Sequence, residues 1–399
     1  MADVARPTAR SSVFYLALLW LIGGQLRLTI LAVPPVLPLI HRDLALSEKA
    51  IGVLSALPVL LLALAAVPGS LMVARLGARR GCILGLAIVA IAGAARGLGP
   101  SMPVLYGMTF AMGIGVALMQ PTVPTLVGEW FPANPGFATA TYANGLVLLG
   151  EAAPAALTIP LVLPLVGGSW GWSFAFWSVP VAVTALLVAT TTSHRPRAWA
   201  ARDYRWWPDW RGALPLGLLL GGTGGMYFSA NAFIPDYLHA LGRPELVTPA
   251  LAALNAGQVP ASIVIMLFAR KLTGNRTVFI VSPLVALAGI AAFLSPLPEI
   301  TVGAAGLVGF CAGMQLTLSL ALPPHLATTD DVHHLSAGMF AVGYFVSFLI
   351  PPLGGAIWDA THVPASAFLA AGLSTVLVVA AALTMRSLRT APAGSTHRR

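Results

Sequence analysis

The chain is predicted to be an all-α membrane protein of twelve transmembrane helices in two pseudo-symmetric six-helix bundles. Three observations lead there. First, 57% of the 399 residues are hydrophobic and 9% charged, against about 25% charged in a soluble domain, so most of the surface must face lipid. Second, apolar runs of roughly 20 residues, the length that crosses a bilayer, occur about twelve times. Third, short motifs recur at one spacing in the two halves.

The predicted spans are 13–40, 48–74, 81–99, 102–127, 137–166, 172–192, 212–240, 247–269, 277–297, 300–324, 336–358 and 363–385. Residues 1–192 are then an N-terminal bundle, 193–211 a cytoplasmic linker, and 212–399 a C-terminal bundle with its tail. With the N-terminus inside, the inner segments hold seventeen Lys and Arg, and the outer ones three: Arg42, Lys49 and Arg243. That bias sets both termini in the cytoplasm and requires an even number of spans. A cell (inner) membrane location is expected, with membrane lipids as the surrounding partner and a monomer as the working unit. The first span is too long for a secretory h-region, so no cleavable leader is expected.

The net charge of +9 does not point to nucleic acid, because the arginines sit at the ends of apolar runs rather than in basic and aromatic stripes. Cys82 and Cys311 lie in separate runs and have neither disulfide nor metal spacing. The linker from Ser193 to Arg211 carries five arginines with Trp199, Trp206 and Trp207, a composition that suits anionic headgroups; a site for a regulatory partner is the alternative.

The repeat is seen at three places. Met119-Gln120-Pro121-Thr122 returns as Met314-Gln315-Leu316-Thr317, and Ala74-Arg75 as Ala269-Arg270, both 195 residues on. Gly145 to Pro154 has a looser echo in Gly343 to Pro352, at 198. Parallel halves with a substrate site at their interface describe a known transporter architecture.

These motifs carry a resemblance. Gln25-Leu26-Arg27, then Val33-Pro34-Pro35-Val36-Leu37-Pro38 and Arg42-Asp43-Leu44, resemble the first span of the major facilitator superfamily, in its cyanate and 2-nitroimidazole transporter branch, with Gln in place of the branch's Asn. Leu57-Pro58-Val59, Arg96, the run from Gly113 through Gln120 to Pro132, Ile234-Pro235-Asp236-Tyr237-Leu238, Gly343-Tyr344 and Asp359-Ala360-Thr361 extend it over nearly the whole chain. The resemblance implies secondary transport by alternating access, of a small anionic or polar organic solute that is cyanate-like or nitroimidazole-like. Two positions depart from the family. Ala74 stands where the loop motif has an acid, which puts an inner gate built from Arg75, Arg79, Arg80 and Arg270 in question, and Glu151 stands where a small residue is expected.

Arg27 lies about 14 residues into its span, roughly 21 Å along the axis, where a charge is costly and functional by default. A guanidinium offers a fixed fork of donors for an anion; a structural ion pair with Glu151 is the alternative, and the two are compatible. Glu151 is the one carboxylate deep in a predicted span and is a candidate for proton coupling or ion pairing. Gln120 and Gln315, related by the repeat, with Tyr142, Asn144, Tyr227, Asn231 and Tyr344, are candidates to line a cavity, against interhelical bonding; Asn255 and Gln258 are weaker candidates. Arg96, near the outer end of its span, either snorkels to the headgroups or serves an outer gate. His325, His333 and His334 flank Asp330-Asp331 in a loop expected to be solvated, so no metal site is predicted. No phosphate-binding motif appears, so neither ATP-driven transport nor a cofactor is expected, and no catalytic arrangement suggests an enzyme. Two alternatives stay open: proton-coupled export of a drug through Glu151, and a membrane sensor that binds its ligand without moving it.

Overall fold

The computed structural model describes residues 9–99, 101–131, 135–192, 210–326 and 332–385, and among them every regular element is helical. In chain order these are α1 (Ala9–Gln25), α2 (Leu28–Leu31), α3 (Leu37–Leu44), α4 (Glu48–Leu76), α5 (Ala78–Ala95), α6 (Met102–Trp130), α7 (Pro135–Gly145), α8 (Ala153–Leu157), α9 (Leu163–Leu165), α10 (Trp170–Thr191) and α11 (Trp210–Ala240). They continue with α12 (Val247–Ala256), α13 (Gln258–Leu272), α14 (Val278–Phe293), α15 (Pro298–Ala321), α16 (Pro323–Leu326), α17 (Val332–Thr361) and α18 (Ala367–Thr384). Among the described residues, eight helical stretches are each long and apolar enough to cross a membrane. The pair Ser12–Gln25 and Leu28–Leu44, bent by 41°, forms a broken ninth; α14, shorter but apolar, and the long α4 and α11 bring the series to twelve.

Packing divides the chain into two units. The first comprises Met1–Val36 and Ala65–Ala200, the second Leu37–Leu64 and Ala201–Arg399. The segment 37–64 belongs to the second unit for a local reason: both carboxylate oxygens of Asp359 accept the first backbone N–H groups of α4, from Glu48 and Lys49, each at 2.9 Å. Those amides have no partner within the helix, and an acid is the natural cap for them. Ile91, Leu98 and Trp172 in the first unit, and Met266 and Leu267 in the second, are more than two-thirds exposed, which suits a surface facing hydrocarbon rather than water.

In the first unit the regular helix fails in three places, each with a cause in the sequence. After Gly23-Gly24, two weak helix formers, α1 gives way to i→i+3 bonds from the Leu26 and Arg27 amides, and Arg27 takes φ −126°, ψ −25° before α2 begins. Between α7 and α8 the chain runs as a π-helix over Leu146–Ala152, and again over Thr158–Val162 after α8. Pro154 and Pro160 have no N–H to return to the carbonyls four residues back, which loosens the α-helical ladder. The helices that lead into the first two of these breaks, α1 and α7, cross closely. A Cβ on Gly145 would collide with the Trp20 carbonyl, and one on Gly23 with the Tyr142 carbonyl. This close approach of backbones is the packing that small residues permit in membrane bundles. Gly145→Val is therefore expected to push α1 and α7 apart and destabilise the protein by about 1–3 kcal/mol, the usual cost of overpacking, read as a lower melting temperature in detergent.

The second unit buries an apolar core in which Leu216, Leu219 and Leu220 of α11 pack with Phe279 of α14, Met314 and Leu318 of α15, Met339 of α17 and Val378 of α18.

Candidate functional site

In the first unit the chain break and the π-helix put two opposite charges together. Arg27 Nε lies 3.7 Å from Glu151 Oε1, and the residues are 9% and 2% exposed. Irregular backbone at membrane depth is tolerated where it is buried in protein or lines a cavity, and both charges sit on such backbone. A Cβ on Gly150 would stand 2.6 Å from the Gly24 carbonyl oxygen and 2.9 Å from Arg27 Cβ, so the glycine beside Glu151 is what lets the arginine stem approach. The pair that sequence reasoning left open is thus present. At 3.7 Å it is an ion pair wider than a hydrogen bond between these two atoms.

The neighbouring polar groups are disposed unevenly. Gln25, fully buried, donates to Thr184 Oγ1 at 3.1 Å and so faces α10. Gln120 and Tyr142 are half-buried, while Asn144 is exposed and accepts the Trp20 indole N–H at 2.9 Å. Arg96 departs from the snorkelling expectation. It is fully buried, donates from Nη2 to the Thr29 carbonyl at 2.8 Å and lies 4.2 Å from the Phe174 ring centroid. Thr29 is in α2, so Arg96 braces the far side of the chain break; carbonyl and aromatic face replace the headgroups that its sequence position suggested.

Of the inner-gate candidates, Arg75 and Arg80 are exposed. Arg79 donates to Thr192 Oγ1 at 2.8 Å and to the Ala189 carbonyl, satisfying an acceptor at the C-terminal end of α10. The side chain of Arg270, the loop histidines and the linker 193–209 lie outside the described residues.

In the second unit, Tyr227, Asn231 and Asn255 form one network. The Tyr227 hydroxyl donates to Asn255 Oδ1, and Asn255 Nδ2 donates to Asn231 Oδ1 at 3.0 Å. Gln315, 1% exposed, accepts from the Thr223 hydroxyl at 2.9 Å and donates to Ser282 Oγ at 3.2 Å. Both ends of its amide are therefore engaged between helices, the interhelical role weighed for it. Gln120, its counterpart by sequence repeat, is only half-buried. Tyr344 is half-buried and stacks on Phe340, with ring centroids 5.7 Å apart and planes at 15°. Sequence reading did not single out His41, Glu48 and Asp236, which converge in this unit. Their separations of seven and 188 residues carry no ligand spacing; Asp236 entered only through the run 234–238, and the other two only as charge next to the ends of apolar runs.

Comparison with known proteins follows the same lines. The chain is 26% identical over 364 residues to the cyanate transport protein CynX of Escherichia coli (strain K12), covering 86% of this chain and 89% of that one. It is also 26% identical over 374 residues to the 2-nitroimidazole transporter of the same organism, covering 88% and 90%. Among solved structures it is similar to the inward-open xylose transporter XylE from E. coli, with a TM-score of 0.74 at 14% identity over 96% of this chain and 97% of that one. The nucleoside transporter NupG gives 0.73 at 16% identity over 94% and 100%. At these identities the structural likeness shows the fold: twelve helices in two bundles. The sequence model described as Major Facilitator Superfamily matches residues 19–272. The chain is thus a multi-pass membrane protein that transports a solute, and it belongs to the Major Facilitator Superfamily.

Proposed function

We propose that the chain is a secondary transporter of small anionic or polar organic solutes, with Arg27 as the anion anchor and Glu151 as the internal group that holds it when no solute is bound. The observation that carries this reading is the buried Arg27–Glu151 pair, 3.7 Å apart, at the meeting of a broken helix and a π-helix. An isolated buried charge is expensive, so a guanidinium awaiting an anion needs a resident counter-charge. A solute carboxylate, cyanate or nitro oxygen competes for the same donors, and a planar group gains the bidentate fit of the guanidinium. The names of two relatives, a cyanate transport protein and a 2-nitroimidazole transporter, support that solute class. Gln120 and Tyr142 complete the polar surround in the first unit. Within the second unit, Tyr227, Asn231, Gln315 and Tyr344 are the candidate solute contacts, once the bonds that engage Tyr227, Asn231 and Gln315 rearrange. The termini are cytoplasmic, the membrane is the cell (inner) membrane, and residues 193–211 link the two functional halves.

A second reading, proton-coupled export through Glu151, is favoured by one observation, the 2% exposure of this carboxylate on π-helical backbone. A thermal-shift screen of small anions and nitroheterocycles, followed by counterflow in proteoliposomes, tests the primary reading. Anions or nitro compounds are expected to raise the melting temperature by mass action and to exchange across the membrane. Stabilisation by cations alone, or binding without counterflow, contradicts it.

A further inference from the structure

His41 of α3, Glu48 at the start of α4 and Asp236 of α11 offer three ligand atoms within 4.8 Å of one another. His41 Nδ1 stands 3.6 Å from Glu48 Oε1 and 3.7 Å from Asp236 Oδ2. We propose that this cluster is a binding site for a divalent transition-metal cation of the zinc class, with His41, Glu48 and Asp236 as its three protein ligands.

Four features support it. Ligands bonded to a tetrahedral zinc at about 2.0–2.2 Å are separated from each other by roughly 3.4 Å, so His41 is within a few tenths of an ångström of both carboxylates as a ligand would be. Glu48 and Asp236 are 7% and 6% exposed, and among the described residues Glu48 Oε2 and Asp236 Oδ2 have no hydrogen-bond partner, His41 Nδ1 standing 3.7 Å from the latter. Protonated His41 offsets at most one of the two buried carboxylates; a divalent cation neutralises both, replacing the imidazole proton at Nδ1 as it binds. Third, the His41 side chain is a third exposed, which gives the ion an entry path and leaves its fourth position to water. Fourth, Asp359 spends both oxygens on the Glu48 and Lys49 amides, so it positions the helix start that carries Glu48 and is not itself a ligand. One imidazole with two carboxylates suits zinc better than magnesium or calcium, which take larger all-oxygen shells. A bound ion ties α3 and the start of α4 to α11, so micromolar zinc is expected to stiffen this unit and slow turnover. The assignment does not depend on what Arg27 binds.

Titration of the untagged full chain, stripped with EDTA and assayed with zinc chloride by calorimetry and thermal shift, tests it. Wild type is expected to bind one zinc and melt at a higher temperature, with magnesium without effect. His41→Gln, Glu48→Gln and Asp236→Asn are each expected to weaken zinc by more than the roughly 10–100-fold that losing a mere outer-shell partner costs. His41→Gln, altered at a partly exposed position, serves where the buried variants fail to fold. No binding by wild type overturns the proposal, and so does binding that survives in His41→Gln, which places the metal elsewhere. A melting temperature that depends on pH through His41 but not on zinc overturns it as well, and makes the cluster a proton-sharing latch.

Discussion

Arg27→Ala is expected to abolish anion binding and counterflow at working concentrations, with affinity falling on the order of 30-fold or more, the 2–5 kcal/mol that truncating one partner of a buried charge contact costs. The same substitution strips Glu151 of its counter-charge, and leaving one member of a buried pair alone destabilises by on the order of 3–5 kcal/mol. The two effects separate in a double variant. Arg27→Ala with Glu151→Gln should regain most of the lost stability, since no buried charge remains at the crossing, yet still fail to bind. A purely structural pair predicts recovery of both. Arg27→Lys keeps the charge but not the planar fork, so it should bind planar solutes poorly while folding normally. Calorimetry on the single and double variants reads both quantities.

Glu151→Gln is expected to act in the opposite direction. It removes the competitor for Arg27 and keeps an amide of nearly the same shape. Anion affinity should therefore rise on the order of tenfold, which matches the lower end, about 1.5 kcal/mol, of couplings measured between close charge pairs. Exchange across the membrane should slow, because the resident carboxylate no longer displaces the solute for release. Accumulation driven by a proton gradient separates the two functional readings. If the variant still accumulates solute under that gradient, Glu151 is not the coupling group; if accumulation collapses while counterflow persists, it is.

How much of this was legible in the chain differs from residue to residue. Span length and the paucity of charge made the twelve-helix fold readable, because lipid leaves few ways to satisfy a backbone. Arg27 and Glu151 stood out for the same reason: each is a charge in the middle of an apolar run. What the pattern did not convey was the backbone at either residue. The break at Leu26-Arg27 and the π-helix through Glu151 depend on glycines and prolines whose effect appears only once a neighbouring helix packs into them. Arg96 stayed open between headgroups and an outer gate because distance along a helix does not fix depth; Thr29 and Phe174 bury it away from the headgroups. Gln120 and Gln315 share a motif but not an environment, since Thr223 and Ser282 happen to flank only the second. The His41–Glu48–Asp236 cluster was the least visible, joining residues from three helices with no spacing to mark them.

The most direct measurement is the affinity of one small anion from the screen for wild type, Glu151→Gln and Arg27→Ala, taken by calorimetry in one buffer. Anchoring at Arg27 against Glu151 predicts tighter binding in Glu151→Gln and none in Arg27→Ala. Equal affinity in wild type and Arg27→Ala would contradict it.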